Sequence, residues 1–316
     1  MTTARGVLRL ATRGSPLARW QADRVTALLA TVGVTAVSVV VDTEGDRRTD
    51  VSLSELGGRG VFVKEVQAAV ARGDADAAVH SAKDLPASDE LGVPGLVLAA
   101  FPERGDPRDV LVGGSLYELE TGATVATGSA RRRVQLANLR PDLTFTDLRG
   151  NLATRLGRVG TDGITAVVAA RAALDRLRWR PAAGLTVETL EPTVVLPQVA
   201  QGALAVECRA DDEDTRRALA AIDDPAVRTV VEAERAFLAE LGGGCTLPVG
   251  AHAVFDGDDA GLRVLRMTGM LAGGDGHVVL RHEETGSDGP ALGRSVARYL
   301  LDDAGGSDLG TWSPQS

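Results

Sequence analysis

Aromatic residues make up only 3% of the 316-residue chain. Stacking on nucleobases is therefore excluded as a main binding mode. Lysine is scarcer still: Lys64 and Lys83 are the only two, so arginine is the working cation. There are two cysteines, Cys208 and Cys245, with no C-x-x-C spacing and no histidines close by. That pattern argues against a zinc site, and two isolated thiols make no disulfide framework. No apolar run reaches the roughly 18 residues that a membrane span requires. The opening residues, Met1 to Leu10, carry no secretory h-region. The expectation is a cytoplasmic protein with no membrane partner, no nucleic-acid partner and no metal. A net charge of −9 also weighs against a general polyanion binder.

What is present is globular: 44% hydrophobic and 24% charged residues. The length exceeds one ordinary core and suits two or three domains. Through the first two-thirds, strand and helix patterns alternate. Val7 to Ala11 reads as a strand, and Ser15-Pro16 opens a helix with Ser as N-cap and Pro at its first position. Strands are expected at 37–41, 75–80 and 96–100, and a helix at 61–71. The irregular, glycine-containing stretch 43–60 reads as a mobile flap, and Pro102 to Pro107 as a hinge. A second alternating unit has strands at 124–127, 144–148 and 164–169, with helices at 131–139, 152–159 and 171–177. Such alternation predicts α/β domains with largely parallel sheets. Beyond Pro225 a helix, three strands and a last helix predict a small α+β module.

The charge is unevenly spread. Between Val125 and Arg180 there are eleven arginines against four acids. A solvated basic face is the bland reading of such a run. Position speaks against it, because a strand, a tight turn and an arginine opening a helix recur together. The pattern occurs at Thr127-Gly128-Ser129-Ala130-Arg131-Arg132, at Arg149-Gly150-Asn151 with Arg155, at Ala170-Arg171 with Arg176, and at Thr12-Arg13-Gly14-Ser15. In open α/β sheets ligands bind beyond the carboxyl ends of the strands. Helix N-termini there present free N–H groups, and arginine adds planar bidentate donors for carboxylates. The pattern predicts a site for a ligand with several anionic groups.

Asp84, in His80-Ser81-Ala82-Lys83-Asp84-Leu85-Pro86, also falls at a strand's carboxyl end. An aspartate there can be a turn former, or an acid that handles a cation or a proton. Cys208 sits in a strand-like run and reads as a small hydrophobe. Cys245 follows three glycines and precedes Thr246-Leu247-Pro248, which reads as an accessible loop thiol.

Taken together, several segments resemble the hydroxymethylbilane synthase (porphobilinogen deaminase) family. They are Ala11 to Ala18, Gly60 to Glu65, His80 to Pro86, Leu148 to Asn151, Gln201-Gly202-Ala203 with Glu207-Cys208-Arg209, and Gly243-Gly244-Cys245. They run in order to about Gly250. The resemblance implies two α/β lobes of the class II periplasmic-binding-protein kind and a small α+β C-terminal domain. The implied boundaries are 1–101 plus 199–221, 106–197 and 224–304, with a tail at 305–316. It also implies a dipyrromethane cofactor joined by a thioether to Cys245. Porphobilinogen is the implied substrate, and a monomer the implied state. By the same resemblance Arg13, Ser15, Arg149, Arg155 and Arg176 contact substrate. Lys83, Thr127, Ser129, Arg131 and Arg132 hold the cofactor, and Asp84 serves both cofactor and catalysis. Each pyrrole brings two carboxylates, which accounts for the arginines. The deaminated ring carries a positive charge, which accounts for the acid. Two rivals remain: a non-catalytic anion-binding protein of the same two-lobed kind, and an arginine-rich nucleic-acid binder, which net acidity and few aromatics oppose.

Overall fold

The computed structural model describes residues 6–42, 63–87, 93–242, 248–257, 264–274 and 276–309. The chain forms two compact units: 1–104 with 203–228, and 105–202 with 229–316. The flap expected at 43–60 lies outside the described residues.

The first unit is a five-stranded sheet in the order β2-β1-β3-β10-β4. Its strands are β1 (Leu8–Arg13), β2 (Ala36–Val41), β3 (Ala77–Ser81), β4 (Leu96–Ala100) and β10 (Leu204–Arg209). β1 pairs in parallel with β2 and β3, whereas β10 runs antiparallel between β3 and β4. The period of two along β1 separates its faces. Leu8 and Leu10 pack with Ala22, Val25 and Leu29 of helix α1 (Pro16–Thr31). Ala11 packs on the other face with Val66 and Val70 of helix α2 (Lys64–Ala71). Ser15 is the N-cap of α1, its hydroxyl accepting from the Ala18 N–H, as the Ser-Pro pair predicts. Cys208 is fully buried in this core.

The second unit contains a sheet in the order β7-β6-β8-β5-β9. Its strands are β5 (Asp109–Val112), β6 (Thr124–Ala126), β7 (Thr144–Thr146), β8 (Ala166–Ala170) and β9 (Val187–Leu190). β6 pairs in parallel with β7 and β8, and β5 is the antiparallel strand. Helix α3 (Ala130–Leu139) covers one face through Leu136. Helices α4 (Leu152–Leu156) and α5 (Arg171–Arg176) cover the other through Leu156 and Leu174. The helix expected over 152–159 stops at Leu156, where Gly157 takes the C-cap. Both sheets share one plan. In each, the antiparallel strand is the first made after the chain arrives from the other unit.

The segment from 229 onward adds an antiparallel meander, β11 (Val249–Phe255), β12 (Leu265–Ala272) and β13 (Val279–Gly286). Helix α8 (Gly289–Arg298) and the helix Pro225–Glu240 pack on it. The last of these is α7, and α6 (Glu213–Ala220) precedes it. Gly293 lets α8 approach α7 closely, since a Cβ there would meet the Ala233 carbonyl oxygen. This segment is joined to the turn at 199–202 through Glu234. Its fully buried carboxylate accepts from the Ala200 and Ala253 N–H groups. Two five-stranded α/β sheets plus a three-stranded α+β segment agree with the α/β class and the small C-terminal module expected, but the sheets are mixed rather than largely parallel, because β10 and β5 each run antiparallel to both neighbours.

Candidate active site

In the first unit, parallel β1 and β3 end side by side and deliver one cluster from their carboxyl ends. Arg13 ends β1 and Ser15 follows it. His80 and Ser81 close β3, and a short 3-10 turn, Ala82–Asp84, carries Lys83 and Asp84. Arg13, Ser15, Gln21, His80, Ser81 and Asp84 line one small cavity. Gln21 donates to the Ser81 hydroxyl at 2.7 Å, which ties α1 to the end of β3. Asp84 is exposed and Lys83 half-buried. Beneath them, His80 Nε2 lies 3.0 Å from Glu207 Oε2 on β10. Gln67 of α2 donates to both Glu207 oxygens.

In the second unit the arginines sort by their partners. All four acids of the basic stretch are taken: Asp142 by Arg140, Asp147 by Arg133, Asp162 by Arg158 and Asp175 by Arg171. Arg131 and Arg132, in the first turn of α3, are buried and converge on Asp109 at the start of β5. Each donates to a different Asp109 oxygen at 2.7 Å. Arg131 also donates to the Leu196 carbonyl and Arg132 to that of Val168. Burial alone pushes the Asp109 carboxyl up, but the two guanidinium groups outweigh it and hold the group well below the ordinary carboxylate range. Burial lowers Arg131 from the usual arginine value, with Arg132 adding to that and Asp109 opposing it.

Arg149, Arg155 and Arg176, three of the predicted substrate arginines, differ in their surroundings. Arg149 is half-buried, and no side chain among the described residues pairs with it. Arg155 Nε donates to the Gly150 carbonyl at 2.7 Å, across the turn that Asn151 caps for α4. Arg176 is 8% exposed and donates to the Gly202 carbonyl at 2.6 Å. Gly202 has φ +86°, and a Cβ there would come within 2.5 Å of the Gly105 carbonyl oxygen, so only glycine suits this crossing. Thr127 is buried at the end of β6, its hydroxyl accepting from the Ser129 N–H. Ser129 is the N-cap of α3 but makes no capping bond through its side chain.

Sequence reasoning placed these groups at strand ends but missed Asp109, Gln201 and Glu207. Gln201 Nε2 also binds Asp109, at 2.8 Å. Cys245 lies outside the described residues; the described chain resumes at Pro248, whose carbonyl accepts from Ala272. No helix among the described residues is long and apolar enough to cross a membrane.

A sheet pair with anion-suited strand ends is common to binding proteins and enzymes, and the comparisons separate the two. Residues 8–217 match the family model of the porphobilinogen deaminase dipyromethane cofactor binding domain, and 228–302 match the porphobilinogen deaminase C-terminal domain. The porphobilinogen deaminase of Acidothermus cellulolyticus is 46% identical over 312 residues, covering 95% of this chain and 91% of the relative. That of Bacillus subtilis is 42% identical over 270 residues, covering 84% and 83%. Among solved structures, the periplasmic VFT2 domain of Bordetella pertussis BvgS matches at 17% identity and a TM-score of 0.41, covering 68% of this chain and 86% of that one. The class is therefore a transferase of tetrapyrrole biosynthesis rather than a transport receptor. The chain belongs to the porphobilinogen deaminase family.

Proposed function

We propose that the chain is a hydroxymethylbilane synthase that works from a dipyrromethane primer bound through Cys245. Four porphobilinogen molecules are joined head to tail with loss of ammonia, and water releases the linear tetrapyrrole. The cofactor supplies a tethered pyrrole end on which the chain is built. The observation that carries the reading is the sorting of the arginines. Every acid in the basic stretch is paired with an arginine of that stretch, Arg149 is left with no side-chain partner among the described residues, and Arg131 with Arg132 outnumbers Asp109 by one charge. Such a donor set fits a ligand rich in carboxylates.

Within this reading Arg131 and Arg132, with Lys83, Thr127 and Ser129, hold the cofactor's carboxylates. Arg13, Ser15, Arg149, Arg155 and Arg176 bind those of the incoming substrate and orient it, which lowers the entropic barrier to coupling. The exposed Asp84 carboxylate accepts pyrrole N–H groups, stabilises positive charge on the deaminated ring and moves protons. Three domains, 1–101 plus 199–221, 106–197 and 224–304, a monomeric state and a cytoplasmic location complete the proposal. Intact-mass measurement tests it. The purified chain should exceed its sequence mass by one dipyrromethane, and Cys245→Ser should lack the increment. A bare-chain mass from a host that makes porphobilinogen would refute the proposal.

A further inference from the structure

Arg131 and Arg132 are adjacent in sequence, both are buried, and both sit in the first turn of one helix. Two like charges so placed repel, and burial removes the water that would screen them. Asp109 answers this with both oxygens, one for each guanidinium, at 2.7 Å. Gln201 fixes the same carboxylate with a third bond, to Oδ1. The carbonyls of Leu196 and Val168 then stop each guanidinium from rotating. Two cations share one anion, and the Nε atom of each arginine is buried without a hydrogen-bond partner. The arrangement is thus rigid, one positive charge in excess and short of acceptors.

We propose that Asp109 is a positioning residue, which holds Arg131 and Arg132 side by side so that the pair keeps one uncompensated positive charge for the carboxylates of the primer. Asp109 is fully buried, with no surface of its own to offer a ligand. It acts through the two arginines. Without it the guanidinium groups would separate, and the site would be both more strongly charged and less ordered. The inference rests on the reading that Arg131 and Arg132 hold the cofactor.

The test uses the full chain produced without cofactor, in a host unable to make porphobilinogen. Porphobilinogen is added, and primer attachment is followed by intact mass on the folded fraction. R132Q should load at least tenfold more slowly; loading at the wild-type rate would sink the cofactor reading itself, whatever Asp109 does. D109N should also load at least tenfold more slowly. A purely structural Asp109 would lower the unfolding midpoint but leave the loading rate of folded chain unchanged, and that result overturns the proposal. The double variant D109N/R132Q has the wild-type excess of one charge but no pair left to hold side by side, and it decides the matter even if D109N does not fold. Loading within about twofold of R132Q supports action through the arginine pair. A further tenfold fall means that Asp109 acts independently and overturns it.

Discussion

His80 on β3 stands 3.0 Å from Glu207 on β10, so the strand end that delivers Asp84 is held by the antiparallel strand beside it. Gln67 donates to both oxygens of the same carboxylate. Glu207→Leu would leave the buried Gln67 amide without this acceptor, at a cost of about 1–3 kcal/mol. Urea unfolding should show the loss as a lower midpoint. An unchanged midpoint would mean that the trio contributes nothing to the unit.

Asp84 is exposed on a one-turn 3-10 segment and contributes little packing. Asp84→Ala should abolish turnover while changing stability by no more than about 0.5 kcal/mol. Product formation and thermal unfolding, measured on one preparation, separate the two effects. Activity near that of the wild type would remove Asp84 from the mechanism.

Arg149 and Arg155 differ in what each does for the protein itself. Arg149 has no side-chain partner among the described residues, whereas Arg155 closes the Gly150 turn. Arg149→Gln should therefore leave stability unchanged, and Arg155→Gln should cost about 1 kcal/mol. Both should stall elongation, with partly built chains accumulating as enzyme-bound mass increments. Free product at the normal rate from either variant would contradict the carboxylate-binding role.

The depressed Asp109 carboxyl makes a signed prediction about acid. Its folded value lies below the unfolded one, so its stabilisation is fully present above the unfolded value, about 4. That contribution fades as pH falls from there towards the folded value. Asp76, held low against burial by its bonds to Arg9, behaves alike, but on a partly exposed pair whose contribution solvent screens. Unfolding midpoints should fall below about pH 4, and Asp109→Asn should flatten that limb more than Asp76→Asn. Equal flattening would show that burial of the Asp109 trio adds nothing.

Much of this was legible in the sequence, where a local rule settled the outcome. Ser15-Pro16 names the start of α1 because capping and fixed φ act within one turn. β1, β3, α3 and α5 were readable for the same reason. β5 was not: Asp109-Val110-Leu111-Val112 is four residues long, fully buried, and preceded by proline and arginine, so it was assigned to no element. β9, Val187–Leu190, alternates too briefly to stand out, and α6 has a strongly polar composition. The Asp109 site was invisible because its members are far apart in the chain. An aspartate at 109, two arginines at 131 and 132 and a glutamine at 201 meet only once the sheet has formed. The sequence therefore shows eleven arginines as equivalents, and only tertiary pairing divides them.

The shared plan of the two sheets sets an order on synthesis. β3 and β4 have no direct ladder between them, because β10 fills that gap and leaves the ribosome about a hundred residues later. An N-terminal fragment ending near residue 104 would carry two unpaired strand edges and bare apolar surface where Leu204 and Val206 belong. Folding of the early half must wait for residues translated after the middle of the protein. A nascent chain halted before β10 is thus a substrate for chaperones, and splitting the gene at residue 104 should yield two insoluble halves.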